Sequence, residues 1–285
     1  MHLCKVRRPD GKIEVGALDG AQVRVLELNK LDGPQTLSDV LYSSDPADLV
    51  RALLDRGAPT LPVSDVKFLS PLDEQEVWAA GVTYKRSKIA REQESAGAAR
   101  FYDLVYTADR PELFFKAPAW RVVAPGDPVR IRRDAKWSVP EPELALVVAP
   151  SLKIVGYTIG NDMSSRDIEG ENPLYLPQAK FYDGSCAIGP VVTLAAYLPP
   201  LDQVSIRLTI ARAGSPVFEG STNLSAMARN FPDLVSWLGR KTSFPAGVVL
   251  LTGTGVVPPD DFTLAQGDEI AIEVAGIGRL VNRVG

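Results

Sequence analysis

Short runs of alternating polarity, separated by turn residues, constrain the fold of this 285-residue sequence more than any other feature. Near the N-terminus IEVGAL and AQVRVLEL flank the turn LDGA, and SIRLTIAR and EIAIEVAGIGRLVNRV follow in the second half. A period of two is typical of strands that bury one face. Helical segments do not alternate with these strands, which argues against a doubly wound fold. We predict a mainly β protein with some α structure (α+β), in a mixed or antiparallel sheet arrangement.

A helix and a proline-rich passage divide the sequence into two parts. The segment SDPADLVRALLDRG has apolar residues at helical spacing, with Asp45 or Ser44 as the N-cap and Gly57 as the stop signal. Three prolines follow within about fifteen residues and interrupt any regular element. We therefore predict a small N-terminal domain over residues 1–70 and a larger domain over residues 71–285.

Two segments of the larger domain differ from the predicted strands. Residues 225–238 have the composition and apolar spacing of a helix. The stretch from Tyr84 to Ala108 is polar, charged and rich in helix formers, with a glycine at position 97. We predict that this second segment is a helical flap that closes over a bound ligand and excludes water.

The composition excludes several classes of protein. The net charge is −4 and no local block of lysine or arginine provides a stripe for phosphates, so nucleic acid is not an expected partner. No apolar run approaches the roughly 20 residues of a membrane span. Two cysteines in 285 residues do not form a disulfide scaffold and favour a reducing compartment. We expect a cytoplasmic protein that acts on a small molecule.

The histidine content restricts the available chemistry. The sequence contains one histidine, His2, beside the start methionine, where chains are usually loosely held. Unless His2 folds into the core, any chemistry proceeds without a histidine base, a Ser-His pair or a histidine-bound metal. Carboxylates, lysines, arginines, hydroxyls and the backbone remain as catalytic groups.

Three acidic residues form a candidate site for a hard cation. Glu141 and Glu143 lie two residues apart in WSVPEPELALVV, so their side chains point to the same face of a strand. Asp162 follows the next predicted strand, IVGYTIGND, and strands adjacent in sequence usually pair. Three converging carboxylates suit Mg²⁺, Mn²⁺ or Ca²⁺. Spacing alone also allows an exposed strand face with ordinary surface glutamates.

Four motifs resolve this ambiguity through a resemblance. EPELALVV, GYTIGNDMSSRDIEGENP, LPQAKFYDGSCAIGP and LLTGTGVVPPDDFTLAQGDEIAIEVAGIGRLVNRV resemble, in order and spacing, the fumarylacetoacetate hydrolase family over residues 72–285. The resemblance implies a mixed β-sandwich roll, usually a homodimer or higher homo-oligomer. It also implies that Glu141, Glu143 and Asp162 bind Mg²⁺ or a similar ion.

The same resemblance implies roles for further residues. Lys180, in QAKFYD, matches a lysine near the metal and acts either as a proton acceptor or as an ion-pair partner of the ligands. Thr254, in LTGTG, either contacts substrate or shapes the turn. Glu112 lies before a strand that the family packs near the metal and is a candidate general acid, although an exposed glutamate is the alternative. Lys116 is expected to line the site and contact substrate.

The sequence departs from the family at one informative place. Members commonly carry a histidine and, three residues later, a glutamate that together activate water for carbon–carbon hydrolysis. In GVTYKRSKIA these positions are Ser87 and Ala90, so the usual water activator is absent. Arg86 and Ser87 either contact a substrate hydroxyl or carboxylate or lie on the surface of the flap.

A metal site with a lysine and no water activator favours dehydration. The segment DIEGENPLYLPQAK resembles the branch of the family that contains the 2-keto-3-deoxy-pentonate dehydratases of pentose degradation. We therefore predict a Mg²⁺-dependent lyase that converts a 2-keto-3-deoxy-pentonate of the 2-dehydro-3-deoxy-arabinonate type to 2,5-dioxopentanoate. The alternatives are an acylpyruvate or diketo-acid hydrolase, an isomerase or decarboxylase of aromatic catabolism, and an inactive metabolite-binding protein.

Overall fold

The computed structural model describes residues 1–30, 33–57, 59–84, 105 and 108–285. The strands in these residues are β1 (His2–Arg7), β2 (Ile13–Asp19), β3 (Gln22–Val25), β4 (Thr60–Pro62), β5 (Lys67–Phe68), β6 (Glu76–Gly81), β7 (Glu112–Ala117), β8 (Ser138–Val139), β9 (Pro142–Val148), β10 (Ile154–Asp162), β11 (Ser164–Ser165), β12 (Cys186–Leu194), β13 (Ser205–Arg212), β14 (Ser215–Asn223), β15 (Val248–Leu251), β16 (Glu269–Val274) and β17 (Gly278–Arg283).

Helices are fewer than strands in the described residues. The α helices are α1 (Leu37–Leu41), α2 (Pro46–Leu54), α3 (Arg166–Glu171), α4 (Leu176–Lys180) and α5 (Phe231–Leu238). Single 3₁₀ turns occupy Leu28–Lys30, Val63–Asp65, Ala119–Arg121, Pro173–Tyr175, Ala195–Tyr197, Leu201–Gln203 and Leu224–Ala226. The predicted mainly β architecture with some α structure is confirmed.

A large mixed sheet forms the framework of the molecule. Its strand order is β4-β3-β2-β1-β12-β10-β9-β15-β6-β7, with β5 paired to β1. Among the described strands of this sheet, β15 and β6 are parallel and the other neighbours are antiparallel. The N-terminal meander joins the sheet through β1, where His2 lies opposite Thr193 of β12. The division into domains at residue 70 stays a prediction, and hydrogen bonds join the two parts in one sheet.

The C-terminal half of this sheet closes on itself. β7 lies at one edge, yet the chain just beyond it returns to β12, where Val123 N–H donates to the Cys186 carbonyl (2.8 Å) and the Val123 carbonyl accepts from Ile188 N–H (3.3 Å). The strands from β12 to β7 therefore curl into a roll. As a result, residues of β7 come close to the end of β10, from which they are distant in the strand order.

A second sheet covers one side of the roll. Its order is β14-β13-β16-β17, and all pairs are antiparallel. Alternate residues of β13, such as Ile206 and Leu208, lie in a core cluster with Leu144 and Leu146 of β9 and with Leu234 of α5. Apolar side chains thus interdigitate between the two sheets, as in other packed β layers.

The opposite face of β9 contributes to a separate core cluster. Ala145 and Val147 pack there with α1 and α2, and every residue of β9 is buried. Both faces of β9 are covered, which explains why its sequence is nearly continuously apolar. Because side chains alternate along a strand, Glu143 points to the same face as Ala145 and Val147.

Helix α2 agrees with the sequence prediction, whereas α5 begins later than predicted. Asp45 caps α2 by accepting a hydrogen bond from Asp48 N–H. The predicted helix over residues 225–238 is wrong in its first part, because α5 begins at Phe231 after the N-cap Asn230. Pro232 has no N–H and its ring restricts the residue before it, so it fits the first turn of a helix and not the interior.

Strand β14 is absent from the sequence prediction. Its residues are mostly exposed and polar, and Pro216 removes a backbone donor, which is tolerated because β14 is an edge strand.

No helix in the described part of the chain combines the length and apolar character needed to cross a bilayer.

Candidate active site

Glu141, Glu143 and Asp162 converge where β9 begins and β10 ends. The backbones of Glu141 and Asp162 exchange two hydrogen bonds (3.2 and 3.0 Å), and Glu143 lies opposite Gly160. One oxygen of each carboxylate lies within 4.8 Å of the other two, and the residues are only 5%, 1% and 1% exposed. We name these three residues the acidic triad.

Basic side chains compensate for the like charges of the acidic triad. Lys116 Nζ lies 2.5 Å from Asp162 Oδ1, and Arg166 Nη2 lies 3.0 Å from Glu141 Oε1. Lys180 Nζ bridges two of the carboxylates, at 3.0 Å from Glu141 Oε2 and 3.2 Å from Asp162 Oδ2. These three cations are at most 2% exposed. Nitrogen atoms of three basic side chains therefore surround the three carboxylates.

One oxygen of each triad carboxylate is fixed by a donor of the protein. Glu141 Oε1 accepts from Ser164 Oγ (2.8 Å) as well as from Arg166, and Asp162 Oδ1 contacts Lys116. Glu143 Oε2 accepts from the backbone N–H of Gly253 (2.5 Å). These contacts orient the carboxylates, as outer hydrogen bonds do around metal ligands.

The LTGTG segment supplies the last of these donors through its backbone. Thr252 bonds the Leu144 carbonyl through both its N–H (3.1 Å) and its hydroxyl (2.8 Å), which attaches the loop to β9. Gly253 has φ +89°, a left-handed conformation that favours glycine, and a Cβ there would collide with Thr83 Oγ1. The glycine thus allows the backbone to approach Glu143 closely.

The electrostatics and the donor set of the acidic triad fit a hard divalent cation. Burial raises the pKa of Glu143 well above its ordinary value, and the charges of Asp162 and Glu141 raise this pKa further. A divalent ion among the three carboxylates would stabilise their ionised forms. Buried carboxylate oxygens are the ligands that Mg²⁺, Mn²⁺ and Ca²⁺ prefer.

A small cavity lies beside the acidic triad. Glu112 of β7, Glu169 of α3 and Lys180 of α4 contribute polar side chains to its lining. Its other lining residues are Ala80, Gly81, Val82, Phe114, Glu141, Asp162, Gly253 and Thr254. Gly81 lies opposite Glu112 in the β6–β7 pair, and a Cβ at Gly81 would overlap the Glu112 carboxylate. The structure therefore brings Glu112 and Lys180 to one cavity beside the acidic triad.

Two of the predicted substrate-contacting residues, Lys116 and Thr254, make internal contacts in the structure. Lys116 is fully buried, does not line the cavity, and also donates to the carbonyls of Met163 (2.9 Å) and Lys180 (2.6 Å). The hydroxyl of Thr254 donates to the Val256 carbonyl (3.1 Å) and accepts from Val256 N–H (3.2 Å), which stabilises a turn. A substrate contact by either residue stays a prediction.

Some of the predictions concern residues outside the described part of the chain. Arg86, Ser87 and almost all of the predicted flap between Tyr84 and Ala108 belong to this group. The predicted substrate contacts of Arg86 and Ser87 and the closure of the flap therefore stay predictions.

His2 is held in the fold rather than loose at the terminus. It lies in β1, is partly buried, and its Nδ1 is 2.8 Å from Thr193 Oγ1 at the far end of β12. Asp162 lies opposite Cys186, at the other end of the same strand. Seven residues of extended chain separate these ends by roughly 20 Å. His2 is therefore too distant to serve the acidic triad.

Arg166, Ser164 and Glu169 are site residues that sequence reasoning did not assign to the site. All three lie in the SSRDIEG segment directly after Asp162, on β11 and α3. A buried arginine and two further polar residues so close to a predicted metal ligand are a signal that could have identified them. Unpaired burial of such groups is costly, so each is expected to have a partner.

Comparisons with known proteins give results that agree with this geometry. The family model described as "Fumarylacetoacetate (FAA) hydrolase C-terminal" matches residues 76–285. The chain is 47% identical to the probable 2-keto-3-deoxyxylonate dehydratase of Haloferax volcanii, over 84% of this chain and 85% of that protein. It is 40% identical to the 2-dehydro-3-deoxy-D-arabinonate dehydratase of Saccharolobus solfataricus, over 78% of this chain and 76% of that protein.

A solved structure is similar along the whole chain. It is that of a 2-keto-3-deoxy-D-arabinonate dehydratase complexed with magnesium and 2,5-dioxopentanoate, with a TM-score of 0.84 and 35% identity, over 100% of this chain and 98% of that chain. The family model covers well over half of the sequence, and relatives above 30% identity cover more than two thirds of it. The chain therefore belongs to the fumarylacetoacetate hydrolase family.

Proposed function

We propose that the protein is a Mg²⁺-dependent dehydratase that converts a 2-keto-3-deoxy-pentonate to 2,5-dioxopentanoate. The observation that carries this proposal is that the Lys180 amine and the Glu112 carboxyl line one cavity beside the acidic triad. Relatives of 47% and 40% identity that are named as dehydratases of this substrate class support it.

The acidic triad is the proposed Mg²⁺ site. Glu141, Glu143 and Asp162 would each offer one oxygen, while Ser164, Arg166, Lys116 and Gly253 hold the remaining oxygens. When bound, the ion supplies Lewis-acid polarisation of a 2-oxo acid and thereby makes its C3 protons more acidic. The similar solved structure, which contains magnesium and 2,5-dioxopentanoate, supports the choice of ion.

Lys180 and Glu112 are the proposed proton-transfer groups. Lys180, as a neutral amine, takes a proton from C3, and the electron pair of that C–H bond forms a double bond between C3 and C4. The C4–O bond breaks, and Glu112 gives its proton to the departing hydroxyl, which leaves as water. Lys180 ends as an ammonium that Glu141 and Asp162 stabilise through the contacts described above, and Glu112 ends as a carboxylate.

Turnover of the two enantiomers of 2-keto-3-deoxy-pentonate, which differ at C4, tests this function. With Mg²⁺ present we expect the protein to form 2,5-dioxopentanoate, detected by its aldehyde resonance in proton NMR, and we expect EDTA to abolish the reaction. Glu143→Gln should lose activity, whereas Glu273→Gln, which changes an exposed glutamate of β16, should retain it. If neither enantiomer reacts with the unmodified protein, the proposal is wrong.

A panel of acylpyruvates and other diketo acids separates dehydration from hydrolysis. A diketo-acid hydrolase would remove the ultraviolet absorbance of these compounds, whereas the proposed dehydratase should leave it unchanged. The panel thus decides between the proposed lyase and the C–C bond hydrolase that the family membership also allows.

The cellular context remains part of the proposal. The family resemblance supports a homodimer or higher homo-oligomer, and the low cysteine content supports a cytoplasmic location. Sedimentation velocity at several protein concentrations measures the first, and cell fractionation measures the second.

A further inference from the structure

Dehydration across C3 and C4 does not by itself produce 2,5-dioxopentanoate, and this inference rests on the proposed function. Loss of water gives a 5-hydroxy-2-oxopent-3-enoate, which still carries two hydrogens and a hydroxyl on C5. To reach the aldehyde, one C5 hydrogen must leave and C3 must regain one. The C5–H bond is conjugated with the 2-oxo group through the new double bond, so a base near C5 can remove this proton.

We propose that Glu169 is this base, which makes it a further catalytic residue. Glu169 is 3% exposed and lines the same cavity as Lys180 and Glu112. On helix α3, Arg166 and Glu169 are the buried residues, and they lie three positions apart on one face. The buried face of this short helix therefore contributes one residue that contacts the acidic triad and one that lines the cavity.

The acidic triad and Glu169 lie on the same cavity. Glu141 and Asp162 line it together with Glu169, and the C1 and C2 oxygens of a 2-oxo acid would lie at the acidic triad. Three C–C bonds of about 1.5 Å place C5 roughly 4 Å from C2 in an extended chain. A substrate held at the acidic triad can therefore reach Glu169 with its C5 end.

The other polar groups of the cavity are alternatives to Glu169 as the base at C5. Lys180 has taken the C3 proton and, as an ammonium, is the group that can return it to C3. The Thr254 hydroxyl both donates to and accepts from Val256. Glu112 becomes a carboxylate when it gives its proton to the departing hydroxyl, so it is the rival base at C5. The experiment below separates it from Glu169.

The proposed step balances in atoms and charge. The Glu169 carboxylate removes a C5 proton, and the electron pair forms a double bond between C4 and C5 while C3 accepts the proton of Lys180. The C5 enol then loses its hydroxyl proton as C4 gains one, which gives the aldehyde. Glu169 finishes protonated, Lys180 finishes as a neutral amine and Glu112 is still a carboxylate, so Glu169 releases one proton to solvent and Glu112 takes one up before the next turnover.

Glu169→Gln separates this step from dehydration. We expect formation of 2,5-dioxopentanoate to fall at least about 100-fold, with accumulation of the enone, visible by its ultraviolet absorbance and its vinyl resonances. Exchange of C3 hydrogens of 2-oxobutyrate in D₂O, which needs Lys180 but has no C5, should stay within about threefold of the unmodified protein. Glu171→Gln is the matched control, because Glu171 lies on the same helix and is exposed.

The possible outcomes are distinct. If Glu169→Gln forms the aldehyde at the unmodified rate, or if it loses C3 exchange and aldehyde formation in proportion, the inference is wrong. Glu112 is then the better candidate in the first case. If the unmodified protein does not consume the pentonate at all, the proposed function fails instead.

Chemical rescue provides a second test on a different variant. Glu169→Ala leaves room for a small carboxylate, and added formate should restore aldehyde formation by at least about tenfold without changing C3 exchange. A purely structural role of Glu169 gives no response to formate, and that result overturns the inference.

Discussion

Replacing Glu143 with glutamine should have opposite effects on stability with and without Mg²⁺. Without Mg²⁺ the variant should be more stable than the unmodified protein, and with Mg²⁺ it should be less stable. The substitution keeps the size of the side chain and an oxygen that can accept from Gly253 N–H, but it removes one charge from the acidic triad. When Glu143 is ionised, it repels a second unit charge at 4.8 Å, the limit within which the triad oxygens lie, by about 3.5 kcal/mol at an effective dielectric constant of about 20. Attraction to Lys180 offsets part of this repulsion in the unmodified protein.

The net effect follows from these opposing contributions. In EDTA we expect Glu143→Gln to raise the free energy of unfolding by about 1–2 kcal/mol, with a rise in Tm of roughly 2–5 °C. Saturation with Mg²⁺ at about 100 times its Kd should stabilise the unmodified protein by about 2.7 kcal/mol. The variant should lose most of that gain, so the order of stability reverses between the two conditions.

Urea denaturation in EDTA and in excess Mg²⁺ measures the reversal, with Glu273→Gln as the control. The pH dependence gives a second signature, because the pKa of Glu143 is raised in the folded state. Between its ordinary pKa and the raised one, folded Glu143 holds a proton that the unfolded chain has released, so stability falls as pH rises through this window. Glu143→Gln should lack this contribution. A variant less stable in EDTA, or equally stabilised by Mg²⁺, would refute the reasoning.

Three further predictions concern the supports of the site and the fold. Lys116→Met leaves Asp162 buried without its closest cation, so we expect the free energy of unfolding to fall by about 3–5 kcal/mol in EDTA and by less in Mg²⁺. Urea denaturation measures both values, and equal losses would contradict this. Gly253→Ala forces a side chain into a left-handed backbone position against Thr83, so calorimetric titration should show weaker Mg²⁺ binding, and unchanged affinity would argue against the loop's role. Asn230→Ala removes the cap of α5 and should cost about 1 kcal/mol while the affinity for Mg²⁺ stays constant; a change in affinity would show unexpected coupling.

Local sequence signals predicted much of the fold. The strands in SIRLTIAR and in EIAIEVAGIGRLVNRV correspond to β13, β16 and β17, because their alternation and turn glycines are local features. Strand β14 escaped prediction because it is polar, although the turn at Ala213 and Gly214 that precedes it is a usable signal. The pairing of β1 with β12 could not be predicted, since it joins residues about 190 positions apart.

The candidate site shows the same division between local and long-range information. The grouping of Glu141, Glu143 and Asp162 could be predicted because they lie at the ends of consecutive strands that pair, so strand geometry alone brings them together. The contact of Lys116 with Asp162 depends on the curling of the sheet, which returns β7 to the end of β10. Nothing local to either residue predicts that closure.

A crystal structure with Mn²⁺ and 2-oxobutyrate tests the central claim most directly, because Mn²⁺ has a measurable anomalous signal. We predict one anomalous peak among Glu141, Glu143 and Asp162, with one oxygen of each at about 2.0–2.4 Å and with the carboxylate and 2-oxo oxygens of the ligand on the same ion. A peak elsewhere, or bound 2-oxobutyrate with no ion among these three residues, would contradict the account.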